Sequence, residues 1–230
     1  MKTLGLLGGM SWESTLPYYR LINQGISGAL GGLHSADLVL YSVDFAQIAR
    51  MQAEGDWQRA GDLLAAKAVL LQKAGAEAIV LCTNTMHKVA DTIEWACPLP
   101  LLHIADATAR EINARGLRRV GLLGTRFTMQ QDFYRRRFEH PHGIEITVPG
   151  AAEMDAIHNI IFEELCLGKI RDESRHTFRR IIASLESQGI EGLILGCTEI
   201  GLLIGEDDAT VPLFDTTTLH AAAAVAFALG

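Results

Sequence analysis

The chain has 230 residues, 49% hydrophobic and 20% charged, which is enough apolar material for a sizeable core and too much for a disordered segment. A net charge of −7 offers no basic face to nucleic acid. Four cysteines without CxxC spacing, and no signal-peptide pattern at the N-terminus, predict a reduced, cytoplasmic protein with free thiols. The alanine-rich end LHAAAAVAFALG is shorter than the about 20 apolar residues a bilayer span takes, so it reads as a docked terminal helix and not a membrane segment.

In chain order, short apolar runs alternate with longer amphipathic ones. Leu4 to Leu7 and Leu38 to Val43 read as strands, being brief, β-rich and bounded by polar or glycine residues. Asp56 to Lys73 shows helical spacing and stops before Gly75, a helix C-terminal signal. Strands are predicted at Ala78 to Leu81 and Leu99 to Leu102, and a helix at Ala105 to Arg115. Strands follow at Val120 to Leu123 and Glu145 to Val148, and helices at Glu153 to Leu167 and Glu173 to Ser187. Leu193 to Leu195 and Val211 to Phe214 read as the last strands. Strands alternating with helices predict an α/β fold whose mostly parallel sheets are covered on both faces.

A repeat gives the domain organisation. LGLLGGMSWESTLPYYRLI from Leu4 resembles VGLLGTRFTMQQDFYRRRF from Val120, each a strand, a glycine turn, a polar stretch and a helix with a tyrosine. KAGAEAIVLCTNT pairs with SQGIEGLILGCTE, and PLLHIADATA from Pro100 pairs with PLFDTTTLHA from Pro212. Three blocks in one order predict two similar lobes, 1–115 and 116–230, with the C-terminal helix a candidate for packing on the first lobe. In the second block Thr83 falls opposite Cys197. Both stand just past a strand's apolar part, at the carboxyl ends where open α/β sheets bind ligands. If a pseudo-twofold axis relates the lobes, the two residues face one cleft from opposite sides. That suits a reaction in which a proton leaves one face of a carbon and another arrives on the opposite face.

The thiol has a chemical rationale. A free cysteine has a pKa of about 8.5, lowered in a positive environment, so it can serve as base or acid near neutral pH. A threonine hydroxyl donates a hydrogen bond but is a poor base unless activated. Thr83 therefore has two open readings, a catalytic partner or a turn residue bonding locally. Cys82 stands one position early and points to the opposite face of an extended chain. For Cys82, Cys97 and Cys166 core packing is the expectation. GLLGG lacks both the GxGxxG and the GK[ST] spacing, and EHPHG at Glu139 to Gly143 reads as a polar turn without metal-site context.

These turns resemble those of the aspartate/glutamate racemase superfamily. Its Cys-Asn-Thr turn corresponds to Thr83-Asn84-Thr85, and its Gly-Cys-Thr turn to Gly196-Cys197-Thr198. GLLGGMSWEST and the DF…QxxGDW stretch from Asp44 to Trp57 extend the likeness across the chain. The resemblance implies two flavodoxin-like lobes with the active site between them, and an amino-acid racemase that uses no metal, no pyridoxal phosphate and no other cofactor. It implies Cys197 as the base towards L-amino acids, a small-molecule amino-acid substrate and a homodimer. Asn84, Thr85 and Thr198 would hold the α-carboxylate and amine. Glu199 would orient Cys197 or meet the ammonium, with a surface carboxylate as the alternative. Lys169 would take the side-chain carboxylate, with a solvated loop lysine as the alternative. Gln52 would line the cleft, Met10 would touch the substrate or fill the core, and His87 would be a further base or a partly buried histidine. Arg50 is a plausible second cation. Phe45 stands where acidic-selective members carry a basic residue, so a broader polar range is also open. Hydantoin racemase, maleate isomerase and malonate decarboxylase chemistry are alternatives, as is a non-catalytic amino-acid sensor.

Overall fold

Glu77 and Glu191, the acidic residues just ahead of the apolar runs in the second pair of matched blocks, do the same work. Glu77 Oε2 accepts the Thr3 N–H at 2.7 Å, and Glu191 Oε2 accepts the Arg118 and Arg119 N–H groups at 2.7 and 2.9 Å. Each carboxylate ties the start of one inner strand to the start of its neighbour, which is where a parallel pair leaves backbone donors unmatched. Those backbone donors hold the Glu191 carboxyl below its ordinary range.

The computed structural model describes residues 1–230. In order the elements are β1 (Leu4–Gly8), α1 (Trp12–Leu30), β2 (Leu38–Ser42), α2 (Phe45–Glu54), α3 (Trp57–Lys73), β3 (Ala78–Leu81), α4 (Ala90–Ala96), β4 (Leu101–Leu102) and α5 (Ile104–Ala114). Then come β5 (Arg119–Gly124), α6 (Arg126–Gln130), α7 (Asp132–His142), β6 (Glu145–Thr147), α8 (Ala151–Glu163), α9 (Asp172–Ser187), β7 (Gly192–Gly196), β8 (Leu213–Asp215) and α10 (Thr216–Leu229). Each strand run read from the sequence overlaps one of these strands. EHPHG is not a turn: α7 runs through Pro141 to His142, and Gly143 ends it at a left-handed φ of 65°. No helix is long and apolar enough to cross a membrane.

By packing, the chain forms two units, Met1–Ile104 with His220–Gly230, and Ala105–Leu219. This division falls at the start of α5, after its first residue Ile104, whereas the repeat places the boundary after the helix. The first unit holds a four-stranded parallel sheet in the order β2-β1-β3-β4. Strand alternation sorts its side chains. Leu7, Ile79 and Leu81 cluster with Ile48, Met51, Leu64 and Leu71 from α2 and α3. Leu4, Leu6, Val80 and Cys82 instead cluster with Tyr18, Ile22 and Ile26 of α1 and with Ala221, Ala224 and Ala228 of α10. The small residues of α10 let it lie close against α1. A Cβ placed on Gly25 would come within 2.7 Å of Val225.

The second unit holds a parallel sheet of the same plan, β6-β5-β7-β8. Its inner strands are buried along their apolar runs, and α9 covers them with Phe178, Ile181, Ile182 and Leu185, one helical face. In both sheets the chain turns outward in opposite directions from the two central strands. The crevice for a ligand therefore opens beyond the carboxyl ends of β1 and β3 in one unit, and of β5 and β7 in the other.

Candidate active site

Beyond β1 the chain bends sharply at Gly9, whose φ is 91° and where a Cβ would lie 2.4 Å from Val43 O. Only glycine fits there. The bend is locked by Gly9 N–H to Thr15 Oγ1 and by Thr15 Oγ1 to Ser11 O, both at 2.8 Å. Met10, between these anchors, is buried in the apolar cluster with Leu7 and Met51, as core filler would be.

Beyond β3, Cys82 and Thr83 part company as alternation requires. Cys82 is fully buried, its Sγ 3.6 Å from Val80 O, and burial alone pushes its thiol far above the ordinary range. It is a core thiol. The Thr83 N–H bonds Leu81 O at 2.8 Å and the Thr83 carbonyl accepts from His87 Nδ1 at 2.7 Å, so the backbone turn closes without the Thr83 hydroxyl. Asn84 and Thr85, both buried, open the short helical turn Thr85–Val89. Gln52 reaches this segment from α2. Its Nε2 donates to Met86 Sδ at 3.0 Å, while its Oε1 is buried with no hydrogen-bond partner. Such an orphaned acceptor carries a desolvation cost until a donor arrives.

His87 is buried, not partly exposed. The Ile104 N–H donates to its Nε2 at 3.3 Å, so Nδ1 bears the proton given to Thr83 O. Its ring lies 5.9 Å from that of His220, whose Nδ1 meets Tyr18 Oη at 2.9 Å. The imidazole is thus engaged as a brace for the turn.

Beyond β7 the arrangement differs in kind. Gly196 lies opposite Gly124 in the ladder, and a Cβ on it would meet Leu122 at 2.5 Å and Leu123 O at 2.9 Å. The close approach sets Cys197 at the strand's end, 6% exposed. Its Sγ donates to Glu199 Oε2 at 3.0 Å, and Thr198 Oγ1 donates to the same oxygen at 2.8 Å. Glu199 is 2% exposed, which removes the surface-carboxylate reading. Cys166, expected to be a packing residue, is half-buried and donates to Glu199 Oε1 at 3.6 Å.

The electrostatics reverse the expectation of a thiol lowered by positive charge. Burial, then the Glu199 carboxylate, then Cys166 push the Cys197 thiol well above its ordinary range. Burial and Glu199 push Cys166 up as well. Both are therefore neutral thiols at neutral pH, each donating to one oxygen of Glu199. Tyr134, the repeat partner of Tyr18, is fully buried. Burial first, and the neighbouring Cys197 second, raise its phenol so that it stays a neutral hydroxyl.

The structure thus gathers Cys197, Thr198 and Glu199 in one unit, and Thr83, Asn84, Thr85 and Gln52 in the other. Lys169 is exposed on the loop between α8 and α9. Arg50 is exposed on α2, beside Gln47, Glu54, Arg59 and Asp62. Phe45 packs on the α2–α3 side of the core. Sequence reasoning missed Cys166 and Tyr134. The tyrosine had a signal in the repeat; the cysteine had none, because α9 and β7 separate it from Glu199 along the chain.

Comparison with known proteins agrees with this architecture. The Asp/Glu/hydantoin racemase family model matches residues 7–224. The chain is 60% identical to a candidate Asp/Glu racemase from Yersinia pestis, with full coverage of both chains and a TM-score of 0.93. It is 38% identical to an aspartate racemase homologue from Pyrococcus horikoshii OT3, again over both full chains, with a TM-score of 0.84. It is 25% identical to the broad specificity amino-acid racemase RacX of Bacillus subtilis, over 96% of each chain. On these matches and on the paired sheets, this chain belongs to the Asp/Glu/hydantoin racemase family.

Proposed function

We propose that the chain is a cofactor-independent amino-acid racemase in which Cys197 removes and returns the α-proton of the L form. The observation that carries this reading is the buried Cys197 thiol donating to Glu199 at a strand's carboxyl end. The α-proton is weakly acidic, so the base must be strong once formed. A thiol held far above its ordinary range gives a strong base when its proton moves to Glu199. The steps then balance. Glu199 takes the proton from Cys197, the thiolate takes the α-proton and is a thiol again, and the carbanion takes a proton either back from Cys197 or from the Thr83 hydroxyl on the other face, which the Glu199 proton then recharges through solvent.

Thr83, at the matching strand end of the other unit, serves the opposite face of the α-carbon in this reading. Its hydroxyl can donate a proton but is a feeble base. Asn84, Thr85 and Thr198 take the α-carboxylate and amine. The unpartnered Gln52 Oε1 accepts from the substrate's ammonium. Lys169 meets a side-chain carboxylate when there is one, and with Phe45 in place of a basic residue the range extends to neutral polar side chains. The relatives' names, an aspartate racemase homologue and a broad specificity amino-acid racemase, support such a range.

The test is α-deuterium incorporation from heavy water into a panel of L- and D-amino acids, read by NMR. Acidic and polar L-amino acids should exchange with the wild type and not with Cys197→Ala. Exchange that survives Cys197→Ala at the wild-type rate would sink the assignment. Binding without any exchange would favour a sensor.

A further inference from the structure

Cys166 has no part in the mechanism above, yet it reaches its central carboxylate. It sits in the single turn Leu165–Leu167 that follows α8, pinned by Leu167 N–H to Glu164 O at 2.9 Å and by Gly168 N–H to Leu165 O at 3.0 Å. Leu165 is fully buried and anchors the turn, while Gly168 leaves it at a left-handed φ of 69°. From this fixed point the Cys166 thiol donates to Glu199 Oε1. The other oxygen, Oε2, is the one that accepts from Cys197 and Thr198. The two oxygens of one buried carboxylate are thus held from two sides, by a loop after α8 and by the turn after β7. Cys82 and Cys97 differ from it, since their sulfurs lie in apolar clusters and face only the carbonyls of Val80 and Ala68.

We infer that Cys166 is a positioning residue that holds Glu199 Oε1 so that Oε2 stays on the Cys197 thiol, a deepening of the racemase reading that rests on it. At neutral pH Cys166 is itself a protonated thiol, so it brings a hydrogen-bond donor and no charge. That donor draws electron density towards Oε1. Without it, Glu199 is free to turn Oε2 away from the Cys197 sulfur, and the thiol loses both its proton acceptor and the negative charge that raises it. A serine keeps the donor; alanine and valine do not.

Wild type, Cys166→Ala, Cys166→Val, Cys166→Ser and the core control Cys97→Ala are compared in two assays. The first is L-substrate α-deuterium exchange across pH. The second is alkylation of Cys197 by iodoacetamide, followed by mass spectrometry, with protection of buried Cys82 reporting that each variant is folded. Cys166→Ala or Cys166→Val should lower kcat about tenfold with KM within about twofold, and should move the alkaline rise of the profile to lower pH. Cys197 alkylation at about pH 8 should quicken about threefold in both. Cys166→Ser and Cys97→Ala should match the wild type in every readout. A folded Cys166→Ala or Cys166→Val with the wild-type pH profile and alkylation rate would overturn the proposal, as would a Cys166→Ser as defective as Cys166→Ala. If the wild type exchanges no amino acid, the racemase reading falls, and the alkylation rates still decide whether Cys166 acts on Cys197 through Glu199.

Discussion

Replacing Glu199 by glutamine keeps the side chain's shape and removes its charge, and the two consequences for Cys197 run in opposite directions. The carboxylate oxygen lies 3.0 Å from the Cys197 sulfur. At that separation, with an effective dielectric constant of ~20, a carboxylate and a thiolate repel by about 5 kcal/mol. Glu199 is a principal reason, after burial, that the thiol stands above its ordinary range. Glu199→Gln lifts this repulsion and lets the amide N–H donate to a thiolate. Iodoacetamide should then alkylate Cys197 at about pH 8 at least tenfold faster, the gain being blunted because a less basic thiolate is a poorer nucleophile. Catalysis should move the other way. The glutamine cannot take the thiol's proton, so L-substrate exchange should fall at least tenfold in kcat. Unfolding cannot mimic this pair of results, because it would expose Cys82 and Cys97 to the reagent as well. An alkylation rate equal to or below that of the wild type would show that the carboxylate does not hold the thiol up, and the proton path through Glu199 would be wrong.

Thr83→Cys supplies a second thiol on the side where the hydroxyl is a weak base, so α-exchange of D-substrates should rise more than that of L-substrates. Comparable initial exchange of both enantiomers by the wild type would mean that another group serves as the second base. Racemisation has an equilibrium constant of one, so the asymmetry is read in initial rates and never in the endpoint. Stability should also respond to alkali. Cys82, Cys166 and Cys197 are held above their unfolded pKa of about 8.5. Between that pKa and their folded values the unfolded chain binds fewer protons than the folded one, so stability, full below about pH 8.5, should fall as pH rises. Urea unfolding between neutral pH and about pH 10 measures this, and a flat profile would contradict the burial of these thiols.

The architecture was legible because two periodicities and one repeat agree. Brief β-rich runs alternate with helical spacing, and the apolar runs that follow Glu77 and Glu191 fold into equivalent strand starts. Cys82 could be set aside from the sequence because alternation along an extended chain is geometric; Val80 and Cys82 do share one face. The environment of Cys197 was not legible, and the reason is physical. A thiol's charge state depends on what surrounds it in space, and its surroundings come from three separate segments. Tyr134 arrives from α7, Cys166 from a turn after α8, and Glu199 from two positions further along, its side chain folded back on Cys197. General cysteine chemistry allowed for a thiol lowered by a positive environment, whereas folding supplied a carboxylate that raises it. The turn at Thr83 shows the converse. His87 looked like a spare base in the sequence, but both its ring nitrogens are committed to backbone groups, Thr83 O and Ile104 N–H. Taking a proton at Nε2 would mean giving up the Ile104 bond. A base whose use loosens its own turn is poorly suited to repeated turnover, and the mechanism we propose therefore assigns the second proton transfer to Thr83 and the first to the thiol of Cys197.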